Sequence, residues 1–294
     1  MSMRVLFYGA GVIGSIYATT LSNAGYDVTV FARGNRLAAL ESKSLLYHAN
    51  GVVKEAPISV ISKLDTDDVF DFVIVAVRYE QIEAALTELR SNKSPNVVTM
   101  VNNPKGYDAW EHILGPGRLI PAFAGGGGRI ENDILYYALT PGIIQSTTFG
   151  EVDGKTTDRI RALASIFKSC KIPYSISRNM GAWQKSHLAL VIPLANGVYY
   201  DGGDNYSTAK NKQAIRLISS ALKTSFRALK NAGVPITPLR LNVFRVCPLW
   251  IMNVLLRLFC ATKLAEVLVS HVHSIKDEMA MLESEFNDLL TGIG

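Results

Sequence analysis

Residues 4–14 read Arg4-Val5-Leu6-Phe7-Tyr8-Gly9-Ala10-Gly11-Val12-Ile13-Gly14, a short apolar run followed by glycines spaced G-x-G-x-x-G. The run from Arg4 to Tyr8 predicts a buried strand. Ile13 to Asn23 carries small and apolar residues at helical spacing, and Gly25 ends that helix. In a strand–turn–helix setting each glycine has a task. The first makes the tight turn, the second lets backbone approach a ligand closely, and the third lets helix pack on strand. A helix that begins there aims unsatisfied N–H groups and the positive end of its dipole at the turn, which suits a pyrophosphate. The stretch therefore predicts a dinucleotide site on Gly9, Ala10, Gly11, Val12, Ile13 and Gly14.

The pattern continues outward. Asp27 to Ala32 is a second strand, Asn35 to Ser42 a helix and Phe72 to Val77 a continuous apolar strand. Tyr79 to Arg90 is an amphipathic helix and Asn96 to Val101 the next strand. Unbroken β-branched runs alternating with helices indicate parallel strands buried on both faces, the pattern of an α/β fold with a doubly wound Rossmann sheet. After about residue 110 the texture changes. Arg118–Phe123, Ile134–Leu139, Gly142–Phe149 and Lys171–Ser177 look like strands, while the glycine run in 124–129 reads as a turn or wide loop. From Met180 the pattern is helical: Gly181 to Leu194, Ala209 to Ala232, a Pro-containing break at Val234–Pro238, then helices to Leu290. The expectation is a Rossmann domain over 1–177 and a second, all-helical domain over 178–294.

The end of the second strand distinguishes the coenzymes. An acidic residue there would bond a ribose 2′-hydroxyl. This chain has Arg33, with Arg36 about one turn on, and a guanidinium suits a 2′-phosphate. NADP(H) is the expected cofactor.

Around these residues the chain resembles the ketopantoate reductase (PanE/ApbA) family. The resemblance runs from Met3-Arg4-Val5 through Gly14 and Arg33 to Val73-Ile74-Val75-Ala76-Val77-Arg78, where the family has a strand ending in Val-Lys. It continues in Met100-Val101-Asn102-Asn103-Pro104-Lys105-Gly106, similar to the family's Gln-Asn-Gly turn, and in Thr147-Thr148-Phe149-Gly150-Glu151, similar to its Ile-Gly-Glu. Trp183-Gln184-Lys185 resembles the Trp-x-Lys that opens the helical domain. The resemblance implies an NADPH-dependent reductase of a small 2-keto acid, with reduction of ketopantoate to pantoate in pantothenate biosynthesis as the family reaction. It implies Lys185 as general acid, Asn102 (or else Asn103) as the asparagine that orients lysine or substrate, and Arg78 near cofactor phosphate or substrate carboxylate. An ammonium beside a developing alkoxide stabilises it and can donate the proton. The substrate half departs from the family. Ala189 and Pro193 stand where many members have asparagines four and eight residues after the lysine, and Asn196 is out of that register. The family's C-terminal Ser-Met…Thr-Glu-Ile-Asp pattern is not found, and the nearest acidic candidate is Asp277-Glu278, with Glu278 taken as the better of the two. Two other readings stay open: an NADP-dependent hydroxy-acid or opine-type dehydrogenase, and an NADP(H)-binding protein without turnover.

Composition bounds the rest. With 48% hydrophobic and 19% charged residues over 294 positions, a sizeable core is expected. The net charge of +5 is scattered, which favours a small anionic ligand over nucleic acid. Cys170, Cys247 and Cys260 are odd in number and widely spaced, which speaks against disulfides and a metal site and for a reducing, cytoplasmic setting. Residues 1–9 are too short an apolar run for a signal peptide. Val246 to Leu256 contains Pro248 and is closed by Arg257, well short of the roughly 20 residues a membrane span needs. It reads as a core helix, with a homodimer face or an apolar pocket as the other uses. His187, on another face than Lys185, reads as a packed histidine, and His271 and His273 as surface residues.

Overall fold

The computed structural model describes residues 3–263, 265–266 and 276–292. His271 and His273 lie outside them. The chain divides into two compact units, Met1–Val101 with Tyr107–Met180, and Asn102–Gly106 with Gly181–Gly294. A five-residue loop inside the strand–helix region thus groups with the helical unit, which no linear pattern announced.

The first unit is built on an eight-stranded sheet. Its strands are β1 (Arg4–Tyr8), β2 (Asp27–Phe31), β5 (Ser59–Ile61), β6 (Phe72–Val75), β7 (Val97–Met100), β8 (Leu119–Phe123), β11 (Thr147–Phe149) and β12 (Tyr174–Ile176). They lie in the order β12-β11-β8-β7-β6-β1-β2-β5. All neighbours pair in parallel except β8 and β11. Every residue of β6 and β7 is buried, which is why these strands show no polar alternation. The order reverses at β1, so the C-terminal ends of β1 and β6 leave a crevice where such sheets bind ligands.

A second, four-stranded sheet holds β3 (Leu45–Ala49), β4 (Val52–Ala56), β9 (Gly126–Glu131) and β10 (Ile134–Leu139), in the order β4-β3-β10-β9. The helix after the glycine turn, α1 (Val12–Asn23), packs on β1 and β2 and also against all four of these strands. Being covered on two sides, it buries Gly14 to Thr19 without a break and has no polar face.

This sheet corrects the reading of the glycine run. Gly126 to Glu131 is a strand, not a loop, and pairs antiparallel with β10. Its hairpin turn, Asn132-Asp133, has positive φ at both residues. Glycine is required there by contact. A Cβ on Gly128 would lie 2.2 Å from the Tyr136 carbonyl oxygen, and one on Gly125, just before the strand, 2.3 Å from the Thr147 nitrogen. The β3–β4 hairpin was not anticipated either, although Asn50-Gly51, both at positive φ, is a strong local signal for it. Gly142–Phe149 is strand only from Thr147.

The second unit is helical. It contains α6 (Met180–Tyr200, with Pro193 inside), α7 (Asn205–Lys210), α8 (Lys212–Asn231), α9 (Val243–Val246), α10 (Leu249–Cys260) and a last helix, here α11 (Lys276–Thr291). The expected helix over 209–232 is two helices, broken where the Asn211 side chain caps α8. A Cβ on Gly197 would lie 2.1 Å from the Ile218 side chain, so the glycine lets α6 and α8 touch. The reading of Val246 to Leu256 as core holds only for one face of α10. Met252, Leu256 and Cys260 are buried, but Trp250 is 70% exposed and Val254, Leu255 and Leu258 are exposed with it. Among the described residues no helix is long and apolar enough to cross a membrane.

Candidate nucleotide and active site

The glycine turn has the geometry its spacing predicts. Gly9 has φ +114°, and a Cβ there would lie 2.6 Å from the Ala76 carbonyl oxygen at the end of β6. A Cβ on Gly14 would lie 1.9 Å from the Gly9 carbonyl oxygen, so α1 and the turn touch backbone to backbone. Gly11 is different. It is the N-cap of α1 and exposed, and nothing lies within 4 Å of its would-be Cβ. No side chain caps α1 and its first turn has no acidic residue. The open space at Gly11, in front of uncapped N–H groups, fits a pyrophosphate.

The two arginines after β2 play different parts. Arg33 is the N-cap of α2 (Gly34–Lys43) and its guanidinium lies 4.8 Å from the centre of the Phe31 ring. It pairs with the Glu88 carboxylate on α3 (Ile82–Leu89), which also accepts a bond from the Tyr8 hydroxyl. Burial, and then the Glu88 carboxylate, push the Tyr8 phenol well above its ordinary pKa. The Tyr8 and Phe31 rings stack at 4.4 Å across β1 and β2. Arg33 is thus engaged by a carboxylate that sequence reasoning overlooked. Arg36 reaches back to the glycine turn instead. Its Nε donates to the Ala10 carbonyl at 3.0 Å and Nη2 to Ser15 Oγ at 3.4 Å. Its Nη1 is buried with no partner, and burial holds its pKa below the ordinary value. A buried guanidinium N–H without an acceptor, on a side chain that bonds the glycine turn through Ala10 and Ser15, fits an anionic group held there. Arg78 follows β6 and sits 4.0 Å from Glu80, largely in solvent.

In the second unit the two candidate asparagines separate cleanly. Asn103 is consumed by its own loop. Its Oδ1 accepts from the N–H groups of Lys105 and Gly106, each at 3.0 Å, and its Nδ2 donates to the Gly106 carbonyl at 2.5 Å. Asn102 Oδ1 is buried and has no partner. The loop is tied to α11 by an ion pair of Lys105 with Glu285 at 2.8 Å. Neither residue of that pair was singled out from the sequence.

Lys185 lies in the first turns of α6, half-buried, with Gln184, Ser186 and His187 buried around it. Burial holds its ammonium below the ordinary lysine pKa. Among the described residues its Nζ has no hydrogen-bond or ion-pair partner. Ser186 is structural: its Oγ accepts from the Thr237 N–H at 3.0 Å. Glu278 is half-buried near the start of α11. On the same helix Glu283 accepts from Asn196 Nδ2 at 2.7 Å. Asn196 therefore has a carboxylate partner.

His187 is the packed histidine its position suggested. Its ring stacks on Trp183 one turn earlier, with centroids 5.2 Å apart, and burial pushes its pKa down to about 3. The folded protein keeps it neutral while the unfolded chain protonates it near its ordinary 6.5. Stability from this residue is complete above pH 6.5 and declines as pH falls toward 3. By pH 5 the loss is about 2 kcal/mol. Denaturant unfolding at pH 7 and pH 5 checks this, with His187→Gln expected to lose less than the wild type over the same interval.

The strand order, the glycine turn and the uncapped helix define a Rossmann-type nucleotide-binding unit. The family model for ketopantoate reductase PanE/ApbA matches residues 5–154, and the chain belongs to that family. It is 28% identical over 185 residues to a 2-dehydropantoate 2-reductase of Mesorhizobium japonicum, covering 55% of this chain and 56% of that protein. The match thus spans little more than half the length of that relative. In fold it is similar to 2-dehydropantoate 2-reductase from Geobacter metallireducens, with TM-score 0.69, 15% identity and coverage of 99% of this chain and 100% of that one. It is similar also to a D-mandelate dehydrogenase solved with NADH and anilino(oxo)acetate, with TM-score 0.71, 13% identity and 99% of each chain covered.

Proposed function

We propose that this protein is an NADPH-dependent reductase of a small 2-keto acid, with Lys185 as the general acid. The observation that carries the reading is the half-buried Lys185 ammonium, unpartnered on a helix whose Trp-x-Lys matches the family's. When bound, the nicotinamide supplies a hydride. The glycine turn and the N–H groups of α1 hold its pyrophosphate, and Arg36 Nη1 serves the 2′-phosphate. Lys185 holds a proton at Nζ for the oxygen of the reduced carbonyl. Asn102 offers its free Oδ1 to orient that ammonium or a substrate hydroxyl. A panel of 2-keto acids with NADPH, and of 2-hydroxy acids with NADP⁺, followed by nicotinamide absorbance, tests the reading. Turnover of none of them in either direction overturns it.

Coenzyme choice has its own test. Arg36→Met is expected to weaken NADPH binding about 10- to 100-fold, the worth of one charge-assisted hydrogen-bond set, and NADH binding far less. Arg36→Lys keeps the charge but not the fork, and is expected between the two. Equal losses for both coenzymes would place Arg36 in the turn's framework only.

A second reading concerns the substrate. Ala189 and Pro193 present no hydrogen-bonding side chain one and two turns after Lys185, and Asn196 is held by Glu283. These features favour a keto or hydroxy acid other than ketopantoate, with a less polar body. The substrate panel separates the two by relative kcat/KM.

A further inference from the structure

The basic residues of this chain are unevenly placed, and the nucleotide site does not use the imbalance. From Asn205 to Ala265 there are ten Lys and Arg and no Asp or Glu, so the rest of the chain is net acidic. Part of that charge converges on one cavity of about 430 Å³, open to solvent and lined by Arg227, Lys230, Asn231, Arg245 and Val246, all exposed except the half-buried Arg245. The first three stand at i, i+3 and i+4 on α8 and so share a face. Arg245 and Val246 come from α9.

Two contacts hold these walls together. The Phe226 and Phe244 rings stack at 5.4 Å, each one residue before an arginine of the cavity. Lys223 Nζ donates to the Cys247 carbonyl at 2.9 Å, clamping the end of α9 to α8. Among the described residues no carboxylate pairs with Arg227, Lys230 or Arg245, and Arg245 Nε is buried without a partner. The dipole at the C-terminus of α8 favours a cation such as Lys230 there. It does not account for a third cation brought in by a separate helix, where like charges repel.

We propose that this cavity is an anion site that takes a phosphate group, with the two guanidinium forks as its grip. None of its lining residues belongs to the glycine turn or the Lys185 helix, so it is a second ligand site and not part of the reductase chemistry. The phosphate could be carried by a free small molecule or by a lipid headgroup, and the experiment separates them. Calorimetric titration of the full chain with inorganic pyrophosphate, with and without NADPH, is expected to show saturable binding that NADPH does not abolish. The Arg227→Gln/Arg245→Gln protein is expected to bind about tenfold or more weakly, with NADPH affinity unchanged. If that protein melts early, Lys230→Met reads the same loss without touching the Phe226–Phe244 clasp. Sedimentation with phosphatidic acid vesicles against phosphatidylcholine vesicles is the second arm. Binding of vesicles alone, lost in the same variants, assigns the phosphate to a lipid. Absence of saturable binding to either probe, or binding that the variants leave unchanged, overturns the proposal.

Discussion

Replacing Lys185 with alanine is expected to lower kcat for keto-acid reduction by about 10²- to 10⁴-fold, the usual worth of a positioned general acid, and to leave NADPH affinity as it was. The second half of that statement matters as much as the first. Lys185 lies in the helical unit, and the glycine turn and Arg36 lie in the other, so the variant removes the proton and not the coenzyme site. The pH profile gives an independent reading. Burial lowers the Lys185 pKa below the ordinary 10.5, and in the proposed role reduction uses the protonated form. The rate should therefore fall as pH rises through that lowered value, starting below pH 10.5, and the limb should vanish in Lys185→Ala. Full turnover in the variant, or an unchanged alkaline limb, would remove Lys185 from the chemistry.

The second large effect separates two glycines that look equivalent in a motif. Gly14→Ala puts a methyl carbon 1.9 Å from the Gly9 carbonyl oxygen, against backbone that cannot swing aside. A loss of about 3 kcal/mol or more of folding stability is expected, with nucleotide binding lost as a consequence. Gly11→Ala places the same methyl in open space at φ −70°, where any residue is comfortable. Its stability should change by about 1 kcal/mol or less, since only the N-cap preference is altered. Its affinity for NADPH should nonetheless fall about 10- to 100-fold, because the methyl occupies the approach to the N–H groups of α1. Unfolding curves and coenzyme titrations on the two proteins check this. A Gly11→Ala protein that binds NADPH normally would mean that the pyrophosphate does not cross this turn.

Much of the nucleotide unit could be read in one dimension, because its signals are local. Arg4 to Tyr8 needs no partner to be recognised as a buried strand, and Gly9 and Gly14 announce a turn and a close approach within six residues. The lysine proposed as general acid was picked out through Trp183-Gln184-Lys185, again a local pattern. Local signals also misled where contact overrode them. The glycine run read as a loop is a strand, because β10 and Thr147 approach too closely for any side chain at Gly128 and Gly125. Trp250, expected in a core, stands on the open side of α10, since periodicity says which residues share a face and not whether anything covers it.

The amino-acid sequence by itself determined the doubly wound sheet, the glycine cradle and the helical second half, since each rests on spacing and turn chemistry within a few neighbouring residues. Only the tertiary structure decided which polar groups are left available. Arg33 is engaged by a carboxylate 55 positions away while Arg36 keeps a buried N–H free, and Asn103 spends itself on its loop while Asn102 does not. That loop in turn is tied to a helix 180 positions on. Whether a donor or acceptor is already satisfied depends on residues brought near it by folding, and no local pattern contains that information.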